Sequence, residues 1–374
     1  MIFSKKVKKV NTDRCPLFKY NNTELEVVNQ YKYLGLNVTN NGQFKHAAEI
    51  LAQKARKAFF GLKVAIPSSE NLSVQKWMKL YESMIAPILT YGSEIWIADH
   101  KINLENLQNF SFEKTQNLIM KHILGVHSKT STLAIHTELG LTPLCFKAFK
   151  LMFKYYKRLR IIESSTEYVY DLLRSAYEED KTLKSENCPS WERSVGQLKT
   201  LFNLNTLDIS HVEFTKEMHN YYSNKIMNQL THIRNNETGK LRFYSKIVSN
   251  FVMQTYLTFN INKYLRSNLT KLRLSAHSLA IETGRYCKPI TPANERFCFS
   301  CKNKVEDECH FLIECPLYDI QRDKFFTIFD KNSNKPSMEQ VNRLLNPNTS
   351  EELKNTCSYL KESLHLRDTV FKNS

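Results

Sequence analysis

The sequence predicts a mainly α chain, with short β-strands at its N-terminal end and a small cysteine-rich module near its C-terminal end. Three observations carry this. Lys and Asn are abundant while the breakers Gly and Pro number only nine and ten in 374 residues, a composition that favours helices over loops. Apolar residues recur at helical spacing over much of the chain. Five of the nine cysteines crowd between Cys287 and Cys315, while Cys15, Cys145, Cys188 and Cys357 are scattered singly. A 42% hydrophobic and 11% aromatic content can fill real cores, and the length allows two or three compact units.

The first forty residues read as strands. Leu17-Phe-Lys-Tyr20, Leu25-Glu-Val-Val28 and the run Tyr31 to Thr39 alternate with period two, punctuated by Asn21-Asn22 and Asn40-Asn41-Gly42. At Gln43 the period changes. Phe44, Ala47, Ala48, Leu51, Ala55, Ala58, Phe59 and Leu62 fall on one helical face, and Lys45, Lys54, Arg56, Lys57 and Lys63 lie opposite. A second helix begins after Ser69 or Ser73, either of them a suitable N-cap, and runs through Trp77, Tyr81 and Met84 to a kink or stop at Pro87. Tyr91-Gly-Ser-Glu-Ile-Trp96 reads as a loop or tight corner. A third helix spans Leu104 to Leu124 with Gly125 as its stop, and a fourth, strongly basic one spans Lys147 to Arg160. From Ile161 to about Leu269 helical patches are joined by polar connections, with no motif or repeat; Lys181 to Pro189 reads as a loop. The last forty residues are polar, and are expected to be partly helical or frayed.

Charge gives the first functional indication. Fifty-three Lys and Arg against 37 Asp and Glu leave a formal +16, and the Met1 to Lys63 stretch is basic from Lys5, Lys6, Lys8 and Lys9 onward. Such an excess favours a polyanionic partner, nucleic acid before anionic membrane. No stretch approaches the roughly 20 apolar residues of a membrane span, and Met1-Ile-Phe-Ser-Lys-Lys lacks the order of a signal peptide. The expected setting is intracellular, nuclear or cytoplasmic, with no membrane partner.

The sharpest chemical signal is Cys298-x2-Cys301-x8-His310-x4-Cys315. Two cysteines two residues apart can reach one metal from a tight turn, and the later His and Cys complete a tetrahedral donor set for one zinc ion. Phe297, Phe299, Phe311 and Leu312 would supply the apolar shell that such a module needs. Four protein ligands leave no open position, so the expected role is structural. Cys309 is an alternative to His310, though three thiolates with one imidazole is the commoner set. The bland alternative is that these cysteines are ordinary small buried hydrophobes. Cys287 lies outside the spacing.

Several short motifs, in one order along the chain, resemble the C-terminal part of non-LTR (LINE-type) retrotransposon reverse transcriptases. Leu279-Ala-Ile-Glu-Thr-Gly-Arg-Tyr286, Glu295-Arg-Phe-Cys-Phe-Ser-Cys301, Val305-Glu-Asp-Glu-Cys-His-Phe-Leu312 and Glu314-Cys-Pro-Leu-Tyr318 are similar to that family's C-terminal segment. Met1-Ile-Phe-Ser-Lys5 resembles the strand after the palm's catalytic hairpin, Tyr31-Lys-Tyr-Leu-Gly35 its last palm motif, and Lys54-Ala-Arg-Lys-Ala58 the start of the thumb. Pro87 to Trp96 and Glu138-Leu-Gly-Leu-Thr-Pro143 are similar to stretches beyond the palm.

The resemblance implies a division into palm-strand remnant (1–42), thumb-like helical domain (43–160), helical connector (161–290), CCHC zinc module (291–330) and polar tail (331–374). It implies backbone contacts with RNA, DNA or RNA–DNA hybrid through Lys54, Arg56, Lys57 and Lys63, with Lys302 and Lys304 as phosphate partners and Phe299 as a stacking residue. For the aromatics, packing is the more frequent role. The family's polymerase activity needs paired magnesium-binding aspartates. No Asp-Asp pair occurs, Asp13 is the only Asp before Asp99, and no Pro-Asp nuclease start is found. The chain is therefore expected to be a non-enzymatic nucleic-acid-binding fragment. The alternatives are a piece of a longer polymerase with its catalytic domain encoded upstream, or a zinc-organised protein-interaction module. Strands deprived of the rest of a palm sheet would leave an unpaired edge and an uncovered face, and are expected either to be the worst-ordered part outside the tail or to fold back on the helices that follow.

Overall fold

The computed structural model describes residues 19–24, 28–39, 44–99, 109–183, 190–237, 239–326 and 338–373. The basic run at Lys5–Lys9, the Met1–Lys5 strand, most of the Leu25–Val28 strand and the start of the helix expected from Leu104 lie outside them. So does most of the Lys181–Pro189 loop. The described residues are mainly helical, with 67% helix against 4% strand.

The strands are β1 (Lys19–Tyr20) and β2 (Thr23–Glu24), paired antiparallel, and β3 (Gln30–Tyr33) and β4 (Leu36–Thr39), paired likewise. The helices are α1 (Lys45–Ala65), α2 (Val74–Leu80), α3 (Ala86–Leu89), α4 (Ser93–Trp96), α5 (Ser111–Leu124), α6 (Thr132–Leu139), α7 (Leu144–Glu163) and α8 (Asp171–Thr182). They continue with α9 (Trp191–Leu201), α10 (His211–Asn236), α11 (Tyr244–Ile247), α12 (Lys263–Arg273), α13 (Ala280–Thr283), α14 (Asp319–Phe325), α15 (Met338–Leu345) and α16 (Ser350–Asn373).

Several boundaries differ from the sequence expectation, each for a local reason. The run 31–39 is a hairpin rather than one strand. Leu34 and Gly35 take left-handed φ values of 45° and 88°, as a two-residue hairpin turn requires. Ser73, not Ser69, caps α2 by accepting from the Lys76 N–H at 3.2 Å. Between α2 and α3 the helix widens into a π-turn over Tyr81–Ile85, which precedes Pro87, a residue without an N–H to continue the ladder. The third helix starts at Ser111, and the fourth is longer than expected, starting directly after Pro143. Residues 350–373 form a long helix that buries Leu353, Cys357, Tyr359 and Leu360, which is the helical one of the two outcomes expected for the polar tail.

The chain forms two compact units that interleave in sequence. The first comprises Met1–Phe59, Ser83–Thr115 and Pro143–His219; the second comprises Phe60–Glu82, Gln116–Thr142 and Asn220–Ser374.

In the first unit α7 is the core helix, burying Phe146, Phe149, Met152, Phe153 and Tyr156. Phe153 stacks on Phe214 of α10 with centroids 4.4 Å apart, and Phe146 meets Phe202 edge-on at 5.5 Å. On α1, Ala47, Ala48, Leu51, Ala52, Ala55 and Phe59 are buried. The β3–β4 turn rests on the loop before α4: Tyr91 Oη donates to the Leu34 carbonyl at 2.6 Å. A Cβ on Gly92 would sit 2.5 Å from Leu36 Cδ1, so this corner needs a glycine both for its φ of 67° and for space. Two buried carboxylates end helices. Glu113 accepts from the Cys145 N–H at 2.6 Å at the start of α7, and Asp180 accepts from the Trp191 and Glu192 N–H groups at the start of α9.

In the second unit the core is organised by a fully buried ion pair. Arg273 Nε lies 2.7 Å from Glu138 Oε1. Tyr256 and Tyr244 donate to the same carboxylate at 2.7 and 2.9 Å. The remaining guanidinium hydrogens reach the Leu345 carbonyl, Asn346 Oδ1 and Gln254 Oε1. Such a pair is tolerated only when saturated in this way. Gly140 ends α6 at a φ of 59°, and a Cβ there would lie 2.8 Å from the Met253 backbone nitrogen. Glu138 and Gly140 of the Glu-Leu-Gly-Leu-Thr-Pro motif thus hold this core together. No helix among the described residues is long and apolar enough to cross a membrane.

Candidate metal centre

The cysteine-rich segment of the second unit is built from two turns. In the first, Cys298 closes the turn by accepting from the Lys302 N–H at 2.9 Å and donating to the Lys304 carbonyl at 2.8 Å. Phe297 and Val305 pair across it in an isolated antiparallel bridge, and Lys302 takes a left-handed φ of 55°. The second is one wide helical turn, His310–Glu314. Asp307 Oδ1 starts it by accepting from the His310 N–H at 2.8 Å, and Cys315 ends it by donating its N–H to the His310 carbonyl at 2.8 Å.

Between these turns Cys298, Cys301, His310 and Cys315 present one ligand atom each, all within 4.8 Å of one another. These side chains lie close enough to hold a metal ion. Cys298 Sγ and Cys315 Sγ are 3.9 Å apart, and Cys301 Sγ is 3.3 Å from His310 Nε2. A tetrahedral site with metal–sulfur bonds of about 2.3 Å has sulfur–sulfur edges of roughly 3.8 Å, so the spacing fits. Nε2 is the nitrogen that faces the thiols, while Nδ1 lies 3.5 Å from Glu314 Oε2. A carboxylate behind the imidazole is the usual arrangement for orienting a ligating histidine. Glu314 was legible as the i+4 neighbour of His310.

Burial raises the Cys298 thiol and pushes Cys315 up to about 12. Backbone N–H groups of Cys301 and Ser300 at Cys298, and of Leu317 at Cys315, act in the opposite direction. A bound cation supplies the charge that makes buried thiolates stable. Cys309 is half-buried beside His310 and is not in the group. Cys287 is exposed, its thiol 3.8 Å from the Thr283 carbonyl.

The flanking motifs form the frame. Glu306 is buried and accepts from the Ala280 N–H at 2.7 Å and from Arg367 Nε and Nη2 at 2.6 and 2.7 Å. Arg242 bridges Glu282 and Glu308 at 3.1 and 2.9 Å, and Glu308 also meets His277 at 3.2 Å. Gly284 leaves room for Arg296, whose Cδ would be 2.7 Å from an added Cβ. From α16, Tyr359 donates to the Phe311 carbonyl at 2.9 Å. Pairs such as Glu306–Arg367 are 61 residues apart and carry no signal in spacing.

The basic residues singled out in the sequence are divided between the two units. Lys54 and Lys57 are exposed and Arg56 half-buried on α1 in the first unit. Lys63 is half-buried near the end of α1, in the second unit. Lys302 and Lys304 are exposed beside the metal centre, where Lys304 pairs with Glu314 at 3.1 Å. Phe299 packs: its ring meets Phe371 edge-on at 5.6 Å and carries the Arg367 guanidinium at 5.4 Å.

Comparison of the chain with family models, with curated proteins and with solved structures returned no match.

Proposed function

We propose that this chain is a non-catalytic nucleic-acid-binding protein, akin to the C-terminal part of a non-LTR retrotransposon reverse transcriptase, in which one structural zinc ion holds the Cys298–Cys315 module. The observation that carries the binding role is the set of exposed cations on otherwise well-packed helices of the first unit. Lys54 and Lys57 on α1, and Lys150, Lys154 and Arg158 on α7, stand on exposed faces. Cations left in water without a carboxylate are free to replace the counterions of a phosphate backbone. Lys302 adds a further such charge.

Zinc is favoured by the donor set. Three thiolates and an imidazole in tetrahedral reach select zinc over the hard cations, which take oxygen ligands. A closed ligand set supports a role for the ion in folding rather than in hydrolysis. The absence of any Asp-Asp pair from the sequence supports binding without nucleotide transfer.

The test is binding of RNA–DNA hybrid by the zinc-loaded chain across a salt series. Affinity should fall steeply with salt, and Lys54→Ala, Arg56→Ala and Lys57→Ala together should reduce the slope of log K against log salt by about two to three. Binding that is absent, or insensitive to salt, refutes the reading.

A further inference from the structure

The parts of α1, α5 and α12 that lie in the second unit bring basic side chains to the C-terminal turn of α5. Phe60 and Lys63 share a face of α1, one turn apart, and the Phe60 ring meets His122 of α5 edge-on at 5.3 Å. From α12, the Lys263 side chain crosses Gly125, where an added Cβ would lie 3.4 Å from Lys263 Cε. Arg266, one turn further along α12, donates through Nη2 to the Ile123 carbonyl at 3.1 Å. It is fully buried, and its Nε and Nη1 have no partner among the described residues. Lys121 reaches the Ser128 carbonyl.

These groups repel one another. Burial, then Lys63 and Arg266, hold Lys263 down to about 8. Burial, then Lys263 and Lys63, hold His122 down to about 4. Helix ends account for a part of the cluster. The C-termini of α1 and α5 each present roughly half a negative charge, and the N-terminus of α12 returns about half a positive one. Against that, Lys63, Lys121, Lys263 and Arg266 are four full cations, so a net positive charge of about three and a half remains. A fold does not keep such repulsion for its stability.

Two exposed aromatic residues adjoin members of the cluster, one in sequence and one by ring contact. Tyr264, next to Lys263, is 73% exposed, and Phe60 is 42% exposed. Cations that take phosphates beside a ring that takes a base are the elements of single-strand recognition. A membrane surface would meet the same charge, but Lys63, His122 and Lys263 are each half-buried, which suits a recessed phosphate better than a plane of headgroups.

We propose that Lys63, His122 and Lys263, with Tyr264 at the rim, bind a single-stranded nucleic-acid segment, the phosphodiester at the three basic side chains and a base on the Tyr264 ring. The proposal rests on the nucleic-acid reading above and locates a site that this reading does not contain.

The test is fluorescence anisotropy of the zinc-loaded full chain with labelled oligothymidylate over a salt series. Lys263→Gln should weaken binding about tenfold and lower the slope of log K against log salt by about 0.7. It should also raise the melting temperature, because a repelled, half-buried cation is gone. Lys263→Arg keeps the charge and should keep the affinity. Tyr264→Ala should weaken binding at least about fivefold with the slope unchanged. If the wild type binds and Lys263→Gln and Tyr264→Ala bind equally well, this site is overturned while the broader reading stands. Equal weakening by Lys263→Arg and Lys263→Gln overturns the phosphate assignment. Binding to phosphatidylserine vesicles with none to the oligonucleotide or to hybrid overturns both.

Discussion

Replacing Arg367 with Ala should loosen the metal module from a distance, because α16 supplies a buried counter-charge to it. The Glu306 carboxylate is buried, and Arg367 fills it from two sides at 2.6 and 2.7 Å. Without the guanidinium, the Ala280 N–H at 2.7 Å is the side chain's remaining hydrogen-bond partner among the described residues. Breaking a buried pair from one side costs about 3–5 kcal/mol, and the lost cation–π contact over Phe299 adds about 0.5–1 kcal/mol. For a body of this size, that corresponds to a fall in melting temperature on the order of 10 °C. Calorimetry of the zinc-loaded full chain measures it, and chelator competition on the same variant should show faster metal loss. Combining Arg367→Met with Glu306→Gln removes both charges and should recover more than half of the loss. A melting temperature for Arg367→Ala within about 2 °C of wild type, or a double variant no better than the single one, refutes the reasoning.

Three further outcomes follow from local geometry. Burial lifts Glu113 from 4.5 to about 7, so the folded chain holds a proton that the unfolded chain releases. Its contribution to stability is fully present below about pH 4.5 and is lost as pH rises through about 7, by up to about 3 kcal/mol. Glu113→Gln keeps an acceptor for the Cys145 N–H and should flatten denaturant midpoints between about pH 5 and 8; an unchanged pH dependence contradicts this. Gly284→Ala places a methyl 2.7 Å from Arg296 Cδ and Nε, on a side chain held at 2.9 Å by the Thr291 carbonyl. Overpacking there should cost about 1–3 kcal/mol by thermal melt, and a neutral substitution would show that Arg296 moves freely. Metal affinity should rise with pH through neutrality, since binding must displace protons from the buried Cys298 and Cys315 thiols; chelator competition at about pH 6 and 8 reads it directly.

The amphipathic helices were legible wherever one face meets water. On α1 the buried Ala47, Leu51, Ala55 and Phe59 repeat at the helical period. By contrast α6 went unseen because Ala134 to Leu139 are all buried, which erases the polar face that periodicity depends on. The Tyr31–Thr39 run looked like one strand because apolar residues recur at every second position on both sides of the Leu34–Gly35 turn; the change of phase from Tyr31 and Tyr33 to Leu34, Leu36 and Val38 coincides with the reversal. Polar composition concealed the buried face of α16, where Leu353, Cys357 and Leu360 recur among charged residues. At the metal centre the four ligand positions were readable from spacing, since short turns must bring them together. Glu306 with Arg367, and Lys63 with His122 and Lys263, meet only through tertiary packing between residues remote in sequence. Charge composition showed an excess of cations but not where it collects.

The central claim, that Cys298, Cys301, His310 and Cys315 hold one structural zinc ion, is tested most directly by native mass spectrometry of the full chain with and without chelator. One zinc per chain is predicted, removed together with the folded structure of residues 279–326 and absent from Cys301→Ser and Cys315→Ser. A chain that folds there without metal, or a bound zinc that survives the loss of Cys315, would contradict the account.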